Sequence, residues 1–344
     1  MLPVMMLIMN IVTVMIVWFG AKGIDLGEMQ VGDLLAFISY TMQIIMSFLM
    51  LTMMSIMLPR ALVSVRRIDE VLTTKSSIIQ KDSITPMQSS KRGVVQFDHV
   101  SFVYKDSDEE VLSDINFVAE PGKTTAIIGS TGSGKSTLIK LIPRFFDATK
   151  GRITVDGVDV RDANIQDLRE RIGYVPQKGV LFSGTIESNI KFAHPGISDE
   201  RMENAARIAQ AQDFIEEKSE KYASPIAQGG NNVSGGQRQR LSIARAIAKE
   251  PEIYIFDDSF SALDYKTDVA LRKALKEETK DATVIIVAQR ISTILHADQI
   301  LVLDEGKIAG KGTHQELLKS CEVYRQIAMS QLSAEELEVE KEAN

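Results

Sequence analysis

The chain carries two kinds of hydrophobic pattern, and the change between them divides it. Met1 to Gly20 has no charge and only Asn10 and Thr13 as clearly polar groups; Leu34 to Pro59 is 26 residues without a charge. Crossing the hydrocarbon of a bilayer takes about 20 apolar residues, and one central Asp or Lys would cost about 2.5–3.5 kcal/mol. These runs predict membrane-spanning helices over about 1–20 and 34–59. Residues 60–72 keep apolar positions at helical spacing and extend the second helix, and Thr73 to Arg92, with Pro86 and several Ser, reads as a linker at 73–92. From Gly93 the period shortens. Val94 to Tyr104 alternates as a strand, Gly151 to Val160 contains an Asp-Gly hairpin signal, and Thr125 to Ile128, Ile253 to Phe256, Val284 to Val287 and Ile300 to Leu303 are short apolar runs suited to buried parallel strands. A globular domain is expected over 93–332. Gln331 to Asn344 is expected to be an acidic, frayed tail, with 333–344 lying beyond the domain.

Charge sharpens this division. Residues 1–59 hold 12 of the 15 methionines and only four charged side chains, Lys22, Asp25, Glu28 and Asp33, all in the segment between the apolar runs. Arg60, Arg66 and Arg67 follow the second run, so that end should be cytoplasmic and the connecting loop outside. A secretory signal is disfavoured because no basic segment leads the first run. A buried helical hairpin remains the other reading of the pattern. Residues 60–344 carry 38 Lys and Arg against 43 Asp and Glu, which argues against nucleic acid as a partner. Cys321 is the only cysteine, excluding an internal disulfide.

Two motifs carry the chemistry. Gly129-Ser130-Thr131-Gly132-Ser133-Gly134-Lys135-Ser136 fits G-x-x-x-x-G-K-[ST] between a strand-like run and a helix-like one opened by Thr137. Its glycines let backbone N–H groups turn toward a phosphate, Lys135 can reach the β- and γ-phosphates, and the Ser136 hydroxyl can ligate Mg²⁺. Ser234-Gly235-Gly236-Gln237 follows, leading into Arg238-Gln239-Arg240.

Together with Phe256-Asp257-Asp258 and Ser261-Ala262-Leu263-Asp264, these motifs resemble those of the ATP-binding cassette (ABC) ATPases, and with the two apolar runs the chain is similar to the end of an exporter-type half-transporter of the multidrug or lipid kind. The resemblance implies an α/β P-loop NTPase fold, with a mixed core sheet, an antiparallel β subdomain and a helical signature subdomain, preceded by two transmembrane helices. It implies ATP and Mg²⁺ as ligands, a multi-pass place in the cell membrane with the ATPase domain in the cytoplasm, contact with lipid, and a transported substrate the sequence does not name. Half-transporters of this kind have six spans, of which these match the fifth and sixth. The chain is therefore expected to be a C-terminal fragment of a longer product, or a frame beginning at an internal Met.

Residue by residue, the resemblance places Tyr104 against adenine, although a strand-end Tyr packing on its own domain is the competing reading. Ser136, Gln177 and Asp257 fall where Mg²⁺ is bound. Ser234 to Gln237 would touch the γ-phosphate held by a second ABC half, so the working unit is a dimer with Ser261 to Asp264 at its seam. Four positions depart from the family pattern. Val233 stands where Leu is usual, and Gln228-Gly-Gly230 where an acidic residue is common. Asp258 replaces the Glu that polarises the attacking water, one methylene short, and misplacement on the order of 1 Å can cost ~100-fold. Gln289 replaces a His that contacts the γ-phosphate. An intact phosphate cradle beside an altered base and switch position predicts the degenerate-site half of a heterodimeric exporter; the alternatives are a slowly hydrolysing homodimer and a truncated or regulatory ABC protein without transport.

Overall fold

A computed structural model describes residues 2–81, 84–87, 92–105, 107–194 and 196–331. The expected tail, 333–344, lies outside the described residues. The chain divides into two units, Met1–Ser76 and Ser77–Asn344.

The first unit is two helices, α1 (Leu2–Asp25) and α2 (Val31–Thr73), joined by a short turn. Both are long and apolar enough to cross a membrane, and almost all of their apolar side chains face outward. At 1.5 Å per residue α2 measures about 65 Å, far more than the ~30 Å of bilayer hydrocarbon, and the part beyond Pro59 is where the charges return. The helices approach closely at Gly20, where a Cβ would stand 2.3 Å from a methyl of Leu34.

The second unit builds on β1 (Val95–Val103) and β2 (Glu110–Ala119), followed by β3 (Thr124–Gly129) and α3 (Lys135–Leu141). A hairpin of β4 (Lys150–Val155) and β5 (Val158–Asp159) turns at Asp156-Gly157; both have positive φ, 54° and 80°, as a type I′ turn requires. Next come α4 (Ile165–Glu170), β6 (Ile172–Val175), β7 (Gly184–Thr185), α5 (Ile186–Ile190), α6 (Asp199–Ile208), α7 (Gln212–Glu216), β8 (Pro225–Ile226) and α8 (Gly235–Ala248). The chain closes with β9 (Ile253–Asp257), α9 (Tyr265–Glu278), β10 (Thr283–Val287), β11 (Gln299–Asp304), β12 (Lys307–Gly312), α10 (His314–Ser320) and α11 (Glu322–Gln331). Strands β2-β1-β4-β5 form an antiparallel sheet. The central sheet, ordered β12-β11-β3-β10-β9-β6, is parallel except for its edge strand β12.

The apolar runs expected to be parallel strands are β3, β9, β10 and β11, and period-two alternation explains their burial on both sides. Tyr254, Phe256, Val284, Ile286, Ile300 and Val302 point into a core shared with α6, α8 and α9. Ile253, Ile255, Ile285, Val287, Leu301 and Leu303 point the other way, into a core shared with α3 and the antiparallel sheet. The central sheet thus holds the helical side and the β side apart, and its strand ends place the site.

Part of the segment read as a linker is bound to the second unit. The Gln80 side chain donates to the Ala163 carbonyl (3.0 Å) and accepts from Ile165 N–H (3.1 Å), Lys81 pairs with Asp162, and Thr85 N–H donates to the Asp162 carbonyl (2.9 Å). Buried Arg144 donates to Ile79 O (3.1 Å) and Asp147 (2.7 Å). Gln331 is not in a frayed tail: it ends α11 and is hydrogen-bonded.

Candidate nucleotide site

Strand β3 delivers the chain at Gly129 into a loop whose glycine positions are fixed by close contacts or by backbone conformation. A Cβ on Gly129 would lie 2.0 Å from the Leu303 carbonyl; Gly132 and Gly134 have φ of 86° and 97°, and a Cβ on Gly134 would meet Leu112 at 2.8 Å and the Val111 carbonyl at 3.0 Å. Ser130, Thr131 and Ser133 complete the loop. The Lys135 ammonium folds back over it, donating to Gly129 O (2.9 Å) and Ser130 O (2.6 Å). Burial pushes its pKa down, while Asp258 and Asp257 push it up. A loop of turned amides with a cation above it is a cradle for phosphate.

Beside the loop, the parallel pairing of β9 with β6 and β10 brings together four carboxylate- or amide-bearing side chains, Asp257, Asp258, Gln177 and Gln289. Ser136 Oγ donates to Asp257 Oδ1 at 2.8 Å, and Tyr174 O–H donates to Asp257 Oδ2 at 3.2 Å. Two hard oxygen donors this close suit neighbouring ligands of an octahedral Mg²⁺, whose ligands stand at about 2.0–2.1 Å. Desolvation and the neighbouring carboxylate push the Tyr174 phenol well above its ordinary range, so it stays a donor.

Asp258 follows with φ 48°, a left-handed conformation that is uncommon for a residue with a Cβ. Its N–H bonds the Val287 carbonyl (3.0 Å), which ties it to the end of β10. One carboxylate oxygen, Oδ2, accepts from two amides: Gln177 Nε2 at 3.1 Å and Gln289 Nε2 at 2.8 Å. Burial raises the Asp258 pKa from its ordinary value, the bonds from Gln177 and Ser261 pull it down, Asp257 pushes it up and Lys135 pulls it down.

Tyr104 sits at the end of β1 with its O–H 2.9 Å from Thr137 Oγ1, edge-on to Phe102 (4.7 Å) and Phe146 (5.3 Å). The ring is partly buried in that aromatic group and directly linked to the helix behind the phosphate loop. Ser234 is the N-cap of α8: its Oγ accepts from Gln237 N–H (3.2 Å) while Gln237 Oε1 accepts from Ser234 N–H (3.0 Å), a reciprocal capping box. Gly235 is open, with nothing within 4 Å of where a Cβ would stand. Asp264 caps α9 through Thr267 N–H (3.0 Å), and Ser261 Oγ bonds Asp258 O (2.9 Å).

Some participants carried no sequence signal. Buried Gln239 on α8 accepts from Gly179 N–H (2.8 Å) and donates to Pro176 O (3.1 Å), bracing the loop that holds Gln177 from both sides. Tyr174 and Phe146 gain their roles only through pairings distant in sequence. Among the described residues, no three or more His, Cys, Asp or Glu side chains are grouped so as to hold a metal by themselves.

Residues 112–261 match the ABC transporter family model. An uncharacterized ABC transporter ATP-binding protein of Mycobacterium tuberculosis is 47% identical over 96% of this chain and 57% of its own length. The ABC transporter ATP-binding protein YfiB of Bacillus subtilis, also uncharacterized, is 42% identical over 97% of this chain and 57% of its own. The chain thus spans little more than half of the relatives it matches. A solved bacterial Atm1-family ABC exporter with ATP bound superposes with a TM-score of 0.76 at 33% identity, covering 96% of this chain and 58% of that one. With the phosphate loop, the mixed sheet and the capped helix at Ser234 in the order found here, the second unit of this chain is an ABC ATPase domain, preceded by two apolar helices that match those of an Atm1-type exporter half.

Proposed function

We propose that this chain is the ATP-binding part of an ABC exporter half whose own site binds Mg-ATP firmly and hydrolyses it slowly, and that it works beside a second ABC half carrying the active base. The observation that carries the reading is the clamp on Asp258. A general base needs a free lone pair within hydrogen-bond reach of its water. Here Gln177 and Gln289 both donate to Oδ2, which occupies one of the two oxygens and ties the carboxylate's orientation to the two loops, on a side chain one methylene shorter than Glu. At position 289 an amide replaces a titratable ring, so it can donate or accept but cannot exchange charge. In this reading the turned amides of Gly129 to Ser136 and the Lys135 ammonium hold the phosphates, Tyr104 offers its ring to the base, and Ser136, Asp257 and Gln177 hold Mg²⁺. The bound metal supplies charge neutralisation on the phosphate oxygens. Ser234 to Gln237 face the γ-phosphate of the partner's site, and the apolar helices lie in the membrane with the ATPase domain in the cytoplasm.

The test is to measure binding and turnover on the same purified chain in detergent. Mg-ATP should bind, Lys135→Ala should weaken that binding at least tenfold, and turnover should stay well below the ordinary enzyme range of about 1–1000 per second. Hydrolysis within that range by the chain alone contradicts the reading.

A further inference from the structure

We propose that Gln331, at the end of α11, is a positioning residue for the loop that carries Gln289. The inference rests on the reading of Gln289 as the side chain that faces the γ-phosphate. After β10 the chain passes through Ala288, Gln289 and Arg290 into a short 3₁₀ turn at Ile291–Thr293. The Gln331 amide bridges this loop across Arg290: Nε2 donates to the Gln289 carbonyl at 2.8 Å, and Oε1 accepts from Ile291 N–H at 2.8 Å. From the same residue, Gln289 Nε2 donates to Asp258 Oδ2. Two links therefore join the last turn of α11 to the base position, 73 residues away in sequence. Helix α11 is a firm support, because Tyr324 and Ala328 are fully buried and it packs against β3, β11 and the Ile291–Thr293 turn.

The bridge calls for a planar group with one donor and one acceptor side by side, which an amide supplies and a carboxylate does not. Gln331 holds backbone, not side chain, so its effect on Gln289 is to set where that amide starts. Releasing it lets the loop move relative to Asp258 and costs the contact with the γ-phosphate, while the diphosphate part of the nucleotide, held by the loop at Gly129 to Ser136, is untouched. A tie that merely stabilises the domain would weaken ATP and ADP binding together.

The experiment compares Mg-ATP and Mg-ADP affinity by calorimetry for the full chain in detergent, with wild type, Gln289→Ala, Gln331→Ala and Gln331→Glu. Gln331→Ala should lower the preference for ATP over ADP about three- to tenfold, in the direction of Gln289→Ala, with ADP affinity retained. Gln331→Glu keeps the acceptor and loses the donor, and at neutral pH should fall on the same side. Hydrogen exchange should show the Ile291 amide losing protection in Gln331→Ala, which removes its acceptor, while the amides of β10 keep theirs. If Gln289→Ala lowers the ratio and Gln331→Ala does not, or if Gln331→Ala weakens both nucleotides equally, the positioning role is overturned. An unchanged ratio in Gln289→Ala overturns the reading beneath it, and this proposal with it.

Discussion

Asp258 concentrates the tension of the site. It is buried, left-handed at φ 48°, beside a second carboxylate, and its charge is answered by neutral amides. Because burial raises its pKa in the folded protein, the folded state holds the proton more readily than the unfolded chain does. The stability linked to this group is therefore present at low pH and lost as pH rises from the ordinary Asp range through the raised folded value. Asp258→Asn is neutral throughout and keeps an oxygen for both amides. It should raise the Tm at neutral pH, with the advantage shrinking toward about pH 4; thermal scans across that range check it, and a lower Tm for the variant at neutral pH contradicts it. A second residue-scale expectation concerns the altered pair. Asp258→Glu with Gln289→His should raise turnover at this site when a partner half is present, read by single-turnover hydrolysis. No change in the double variant, with Mg-ATP binding intact, counts against the idea that these two positions limit the chemistry.

At the scale of elements, the strap made by Ile79, Gln80, Lys81 and Thr85 is the clearest addition to what patterning reveals. Polar residues and Pro86 made it read as linker, yet its bonds reach partners about 65 to 85 positions away, and no local pattern encodes those. Gln80→Ala should cost about 1 kcal/mol of domain stability through its two lost bonds. Arg144→Ala should cost about 3 kcal/mol, because it removes a buried guanidinium and leaves Asp147 and the Ile79 and Arg161 carbonyls without their donor. Denaturant unfolding distinguishes the two, and equal, negligible effects contradict a bound strap. The elements legible in advance were those whose signal is local: the all-apolar runs of β3, β9, β10 and β11, the Asp156-Gly157 turn, and the glycine loop before α3. The short strands β7 and β8, the braces from Gln239 and Gln331, and the Tyr174 bond to Asp257 depend on tertiary pairing and were not. The phosphate loop could be read because its chemistry is written in consecutive residues. The clamp on Asp258 could not, because it joins positions 177, 258 and 289.

For the molecule as a whole, the two apolar helices and the ATPase domain set separate tests. With Glu28→Cys and Lys75→Cys in membranes, an impermeant thiol reagent should label the first from outside and the second only after the membrane is opened, since the basic residues follow the second span; labelling of both from one side contradicts the two-span topology. Ser234 caps its own helix, and Gly235 stands open at the surface, so the capped end is available to a second domain. The proposed division of labour between two halves is tested directly by the ATPase activity of the assembled transporter carrying Ser234→Ala or Asp258→Ala in this chain. With labour divided as proposed, Ser234→Ala should remove most of the activity, because it strips the partner's site of its γ-phosphate contact, while Asp258→Ala should leave most of it. Comparable losses from the two variants would contradict that division.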